Sequence, residues 1–259
     1  MVQTGTEKRV VISPDPSSLA DSVAARFLSR VAKRAEDGKV VHVSLTGGSM
    51  GSAVLAAAAR DPRVDRIDWS RVHFWWSDER FVPRTDGERN EKQAREALLD
   101  RLDIPAENIH AMLASDDGVS LDAAAEAYAA ELARFAGSEG AWPSFDVCFL
   151  GVGPDAHIAS LFPDRREIQV TDRTVLPVRD SPKPPPERIT MTRPVINGSK
   201  RVWMVIAGAD KASALGLALA GASYASVPAA GAKGRKRTVF FVDEAAAAKV
   251  PPDLIDQEY

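Results

Sequence analysis

The chain is expected to fold as an α/β protein, a Rossmann-like three-layer sandwich around a mostly parallel sheet. Three observations predict this. Short β-branched runs alternate with helical patterns along nearly all of the 259 residues, the signature of βαβ units. Three unusual polar or glycine-rich segments, 46–51, 77–84 and 151–162, fall at the ends of expected strands, where open parallel sheets hold their ligands. No repeat, low-complexity block or linker interrupts the pattern, so residues 1–259 read as one domain. A chain of this length buries roughly three quarters of its unfolded surface and can build a substantial core.

The elements follow in order. "RVVI" (9–12) is the first strand. Asp15 then offers a helix N-cap and Pro16 the first helical position, Leu19, Val23, Phe27 and Val31 recur at i+4 spacing, and Gly38 ends the helix. "VVHVSL" (40–45) is the second strand and runs into "TGGSMG", after which "MGSAVLAAAAR" has helical composition. "RVHFWWS" (71–77) is a third strand that stops at Asp78-Glu79-Arg80. Leu121, Ala125, Tyr128, Leu132 and Phe135 mark one helix face before the strand "FDVCFLGVG" (145–153). Later strands are expected at 175–178, 189–192, 202–206 and 238–242.

Composition narrows the function classes. With 45% apolar and 27% charged residues, the chain is neither disordered nor fibrous. A net charge of -3 provides no basic face for nucleic acid, and the one basic run, 233–237, reads as a solvated loop. Cys148 is the single cysteine and sits in an apolar run. It can form no intramolecular disulfide, which fits a reducing, cytoplasmic setting, and it is expected to be a small buried residue. No CxxC pair or close histidine pair points to a metal. The N-terminal residues lack the apolar stretch of a secretory signal. The uncharged stretch between Lys211 and Lys233 is too rich in Ala, Gly and Ser for a membrane span, and reads as a helix followed by a loop.

Four segments carry chemistry. In "LTGGSMG", Gly47, Gly48, Ser49 and Gly51 fit the G-x-S-x-G elbow of a serine hydrolase. They equally fit a glycine turn whose N–H groups and hydroxyl cradle a phosphate at a helix N-terminus. An elbow normally follows several strands, and here one strand precedes the strand that carries it. "LGVGPDAHIASLFPD" (150–164) imitates a dinucleotide fingerprint, but Asp155 would face a pyrophosphate and Pro163 leaves too short a helix. What it offers is His157, expected at the start of a short helix. A histidine is a natural general base, and Asp155 two residues away can fix its tautomer. In "WWSDERFVP", Asp78, Glu79 and Arg80 form either a structural ion pair or a place where Arg80 meets phosphate or oxyanion oxygens. Lys183 in "SPKPPPERITMT" is expected on an extended proline-rich segment, and Lys211 in "GADKASAL" near a helix N-terminus, where a cation opposes the dipole unless an anion binds.

Taken together and in this order, "LTGGSMG", "SDERFVPRTDGERN", "GVGPDAHIASLFPD", "SPKPPPERITMT", "GADKASAL" and "RTVFFVDEAAA" resemble the 6-phosphogluconolactonase family, related in fold to glucosamine-6-phosphate deaminase. "SLFP" after the histidine favours the lactonase branch. The resemblance spans almost the whole chain and implies a phosphosugar isomerase-like fold and hydrolysis of 6-phospho-D-glucono-1,5-lactone in the oxidative pentose phosphate pathway, without metal or cofactor, by a cytoplasmic chain that is a monomer or at most a weak dimer. It implies His157 as the base that activates water, with Asp155 or Asp78 holding the imidazole and Arg80 or loop N–H groups facing the oxyanion. The phosphate would lie on Gly47, Gly48 and Ser49, with Lys183 and Lys211 nearby. The chain departs from the family at Ala156, where Gly is usual, and at Ile158, where Thr is common. It also lacks an arginine near Gly231, whose charge Lys233 or Arg235 would replace unless the site does without it. A serine esterase using Ser49, a sugar-phosphate deaminase or isomerase, and a non-catalytic phosphosugar sensor are the alternatives.

Overall fold

A computed structural model of the chain describes residues 8–137 and 140–256. The first strand β1 (Lys8–Ser13) leads into α1 (Pro16–Glu36). The Asp15 side chain accepts the Ser18 N–H at 2.8 Å and so satisfies one of the donors that a helix start leaves open. Leu19, Val23, Phe27 and Val31 are all buried, and Gly38, with φ of 69°, turns the chain after the helix. Then come β2 (Val41–Leu45), α2 (Gly48–Arg60), β3 (Val72–Trp76), β4 (Asp78–Arg80) and α3 (Asn90–Ala97). The second half comprises α4 (Leu121–Arg134), β5 (Val147–Leu150), β6 (Val175–Val178), β7 (Arg188–Met191), α5 (Arg193–Asn197), β8 (Arg201–Ile206), α6 (Ala212–Leu219) and β9 (Arg237–Asp243).

Six strands form one parallel sheet in the order β1-β9-β8-β5-β2-β3. Separate hydrophobic clusters cover its two faces, which gives the three-layer sandwich. On the α1 side, Phe27, Phe149, Trp203 and Phe241 meet in successive edge-on contacts with ring centroids 5.5, 5.6 and 5.1 Å apart, an arrangement aromatic quadrupoles favour. The chain leaves β2 towards β3 on one side, while β5 leads to β8 on the other. The adjacent ends of β2 and β5 therefore frame a crevice at the point where the strand order reverses.

The structure corrects three expectations. Asp78–Arg80, expected only as the place where the third strand stops, is itself strand β4, part of a second, antiparallel sheet in the order β4-β7-β6. Three residues are too short for an alternating pattern to show in sequence. His157 does not begin a helix: the loop after β5 closes through a bridge between Ile158 and Leu161, with Ala156 and Ala159 at φ of 68° and 48°, outside the right-handed helical region. Residues 182–186 form consecutive bends, with a cis bond between Pro184 and Pro185, and are not extended. The basic run 233–237 is, as expected, a loop with exposed basic side chains up to the start of β9. Its backbone donates to Ser199 and Lys200 at 2.8 Å, which ties it alongside the start of β8. The helix and loop expected after Lys211 are present, and no helix among the described residues is long and apolar enough to cross a membrane. Cys148 is fully buried, and burial pushes its thiol up to about 12.

Candidate active site

A cavity of about 220 Å³ opens at the carboxyl ends of β2 and β5. The three strand-end segments expected to converge all line it. So do Gly47, Gly48, Ser49, Asp78, Arg80, His157, Lys183 and Lys211. Asp155 sits beside the cavity, its carboxylate oxygen 2.6 Å from His157 Nδ1.

The glycines explain how these loops come so close. A Cβ on Gly47 would lie 1.8 Å from Asn90 Oδ1, and one on Gly51 would lie 2.4 Å from the Thr46 carbonyl. Gly47 is the N-cap of α2 and provides no side-chain cap, so the first N–H groups of α2 open towards the cavity as an anion seat. Ser49, exposed in the first turn of α2, has no hydrogen bond to a histidine or carboxylate among the described residues. The geometry therefore lacks the serine-to-histidine contact that the elbow reading requires.

Gly153 does the same for the histidine. A Cβ there would stand 2.1 Å from His157 Nδ1 and 2.5 Å from Asp155 Oδ1. The His157 N–H also points to Asp155 at 3.3 Å, and Phe162 packs on the imidazole at 4.7 Å. Burial raises the affinity of Asp155 for a proton. Hydrogen bonds from His157, the charge of His157 and the charge of Lys183, 3.9 Å away, outweigh this and hold the carboxyl at about 2. An ionised Asp155 accepts the proton on Nδ1, which leaves Nε2 with the lone pair.

On β4 the side chains alternate. Asp78 and Arg80 line the cavity, whereas Glu79 turns to α3 and accepts the N–H groups of Arg80, Asn90 and Glu91, each at 2.8 Å. The tripeptide is thus no Glu79–Arg80 ion pair. Arg80 donates to Asn90 Oδ1 at 2.6 Å and to the Glu88 carbonyl at 3.0 Å, and Asn90 donates to the Asp78 carbonyl at 2.9 Å. Asp78 accepts the Ser160 hydroxyl at 2.7 Å, so Asp155 and not Asp78 holds the imidazole.

Sequence reasoning missed Arg188 and Asn90, which also line the cavity. Arg188 lies in register with Arg80 across β7 and β4. It is almost fully buried and donates to the carbonyls of Lys183, Pro184 and Pro185 at 3.0 to 3.2 Å. Burial lowers its pKa, against the charge of Asp78. The only signal for it was its place beside the expected strand at 189–192, inside the segment that carries Lys183. Lys211 precedes α6 and pairs with Asp210 at 2.9 Å. Neither Lys233 nor Arg235 reaches this cavity. Arg235 instead donates to Gly198 and Ser144, so the family arginine near Gly231 has no substitute from those two.

Ala156, where the family usually has Gly, has φ of 68°, a conformation that explains the preference.

Comparison with known proteins agrees with this geometry. Residues 14–241 match the family model for glucosamine-6-phosphate isomerases/6-phosphogluconolactonase. A 6-phosphogluconolactonase of Streptomyces coelicolor is 47% identical over 95% of this chain and 96% of its own length. One from Mycobacterium tuberculosis is 45% identical over 93% and 98%. The crystal structure of 6-phosphogluconolactonase from Thermotoga maritima superposes with a TM-score of 0.79 at 29% identity, covering 92% of this chain and all of that one. With fold, cleft and sequence in agreement over nearly its whole length, the chain belongs to the glucosamine-6-phosphate isomerase/6-phosphogluconolactonase family.

Proposed function

We propose that this chain hydrolyses 6-phospho-D-glucono-1,5-lactone to 6-phospho-D-gluconate in the oxidative pentose phosphate pathway, as a cytoplasmic monomer. The observation that carries the reading is the His157–Asp155 pair at 2.6 Å beside a cavity lined by four cationic side chains, Arg80, Lys183, Arg188 and Lys211. Identity of 45 to 47% to proteins named 6-phosphogluconolactonase supports the substrate.

His157 Nε2 takes a proton from water as the water oxygen bonds to the lactone carbonyl carbon. The carbonyl electrons move to its oxygen, and Arg80 stabilises that charge. Arg80 is favoured over the loop because the N–H groups of Gly153, Ala156, His157 and Ile158 already donate within it. When the tetrahedral intermediate collapses, the bond from carbon to ring oxygen breaks, and the imidazolium returns its proton to that oxygen. Asp155 keeps the proton on Nδ1 throughout. The phosphate sits on the N-terminus of α2 at Gly47, Gly48 and Ser49, with Lys183 and Lys211 beside it. An activated ester needs little beyond a base and accurate placement, so no cofactor enters the scheme.

The test is lactone hydrolysis, corrected for the spontaneous rate, by wild type, His157→Ala and Ser49→Ala. The expected result is a loss of about 10²- to 10⁴-fold for His157→Ala, while Ser49→Ala keeps its turnover with a raised KM. Inactive wild-type protein overturns the assignment, and abolished turnover in Ser49→Ala restores the serine esterase.

A further inference from the structure

Asn90 takes no part in the reaction proposed above, yet it bonds to every residue of β4. It is the first residue of α3 and is 2% exposed. Its backbone N–H donates to Glu79 Oε1 at 2.8 Å, its Nδ2 donates to the Asp78 carbonyl at 2.9 Å, and its Oδ1 accepts Arg80 Nη1 at 2.6 Å. The bond to Asp78 also fixes which way the amide faces. A flipped group would set its own N–H donors against the guanidinium and its oxygen against the carbonyl. Gly47 closes the other side: a Cβ there would stand only 1.8 Å from Asn90 Oδ1, so the amide packs directly on the start of α2.

Buried charge supports this residue from behind. The second oxygen of Glu79 accepts the Glu91 N–H at 2.8 Å, so one buried carboxylate satisfies two of the donors that open α3. Arg89, fully buried, stands 3.9 Å from Glu79 and donates to Glu91 at 3.0 Å and to the Met112 carbonyl at 2.7 Å. Asn90 is thus fixed at its backbone and at both ends of its amide. Arg80, by contrast, is anchored through one nitrogen. Its hydrogen bonds to Asn90 and to the Glu88 carbonyl both use Nη1. Its Nε is shielded from solvent and has no acceptor among the described residues, in a side chain that lines the cavity. A buried donor of this kind calls for a partner.

We infer that Asn90 is a positioning residue for the hydrolysis: it anchors the Arg80 guanidinium through Nη1, leaves Nε for the oxyanion, and sets that donor in register with the phosphate seat at Gly47. This rests on the reading that Arg80 faces the oxyanion. A donor fixed before the reaction needs no reorganisation when the charge develops, which is the condition for strong stabilisation. Asparagine suits the place because one short side chain provides an acceptor for the guanidinium and a donor for the carbonyl. Aspartate lacks the donor, and its charge draws the guanidinium to itself. Alanine leaves the Arg80 N–H and the Asp78 carbonyl without these partners.

The test is a double-mutant cycle read by steady-state lactone hydrolysis, with a thermal melt of each protein: wild type, Asn90→Ala, Arg80→Ala and the double variant. Arg80→Ala should lower kcat by about 10²- to 10³-fold, the cost of losing an oxyanion donor. Asn90→Ala should lower kcat by about 10- to 10²-fold, as misplacement of that donor requires, with KM little changed. The double variant should be no slower than Arg80→Ala, because Asn90 acts through Arg80. Asn90→Asp retains the volume and the acceptor, and so reads the same loss of kcat even if Asn90→Ala does not fold. The proposal is overturned if Asn90→Asp keeps the wild-type kcat, if the loss falls on KM instead, or if the two losses multiply in the double variant, which makes Asn90 a structural residue. In each of these cases a slow Arg80→Ala leaves Arg80 at the oxyanion. Wild-type kcat in Arg80→Ala removes that assignment and this proposal together.

Discussion

The four histidines occupy two environments. His157 stands on the loop after β5, partly exposed, with an ionised carboxylate on Nδ1. His42, His73 and His110 cluster under α4 and are shielded by Trp75 and Phe135. His73 Nδ1 meets His110 Nε2 at 2.9 Å, the Trp75 indole donates to His42 Nδ1 at 3.1 Å, and His110 Nδ1 meets Glu131 at 2.8 Å. Trp75 stacks on His110 at 3.7 Å. Burial, reinforced by the neighbouring His73, drives His42 down to about 3. Burial drives His110 down to about 4 although Glu131 pulls the other way. The same side chain is placed to exchange a proton in the first setting and is held neutral as part of the core in the second.

The contrast can be broken most severely at Gly153. Gly153→Ala places a methyl group where the imidazole stands. The His157 ring can swing away, so the fold should survive while kcat falls about 10²-fold, the cost of misplacing a reacting group by an ångström. Steady-state kinetics alongside a thermal melt separates the two effects, and a collapse in melting temperature would show that Gly153 is needed for folding.

Asp155→Asn retains shape but loses the charge that fixes the tautomer, and kcat should fall about tenfold or more with KM little changed. Unchanged kcat would remove Asp155 from the mechanism.

In the buried cluster the effect is on stability. His42 has a folded value of about 3 against 6.5 for the free side chain. Between these values the unfolded chain binds a proton that the folded chain does not. Stability is full above about 6.5 and declines as pH falls, by about 1.4 kcal/mol per pH unit for one group. Urea unfolding of wild type and His42→Gln between pH 4 and 6 should give slopes that differ by about one proton. Parallel slopes would mean that His42 is charged in the fold.

The smallest effect is expected at Ala156→Gly, which relieves the left-handed backbone at φ of 68° and should stabilise the chain by up to about 1 kcal/mol.

Much of this was legible in the chain. α1 shows its cap, its buried stripe and its end as separate local signals, and β6 falls where its β-branched pair predicted. The cavity segments were legible because glycine, proline and charge at strand ends break the hydrophobic pattern. β4 was not, because three residues carry no period, and it is a strand only through pairing with β7 more than a hundred residues later. Arg188 escaped for the same reason, since its place opposite Arg80 depends on that pairing. Asn90 escaped because its role rests on a contact with Gly47 that only the packing of α3 against α2 creates.

The sequence by itself determined the α/β class, most strand and helix positions, the family, and His157 as the histidine worth singling out. These rest on interactions a few residues long, or on motifs whose order survives in the chain. Tertiary structure alone decided that Asp155 rather than Asp78 holds the imidazole. It decided that Arg80 and Arg188 share the cavity wall. Charges and hydrogen bonds act over a few ångströms of space whatever the separation along the chain, so which of them meet is fixed only when the sheet forms.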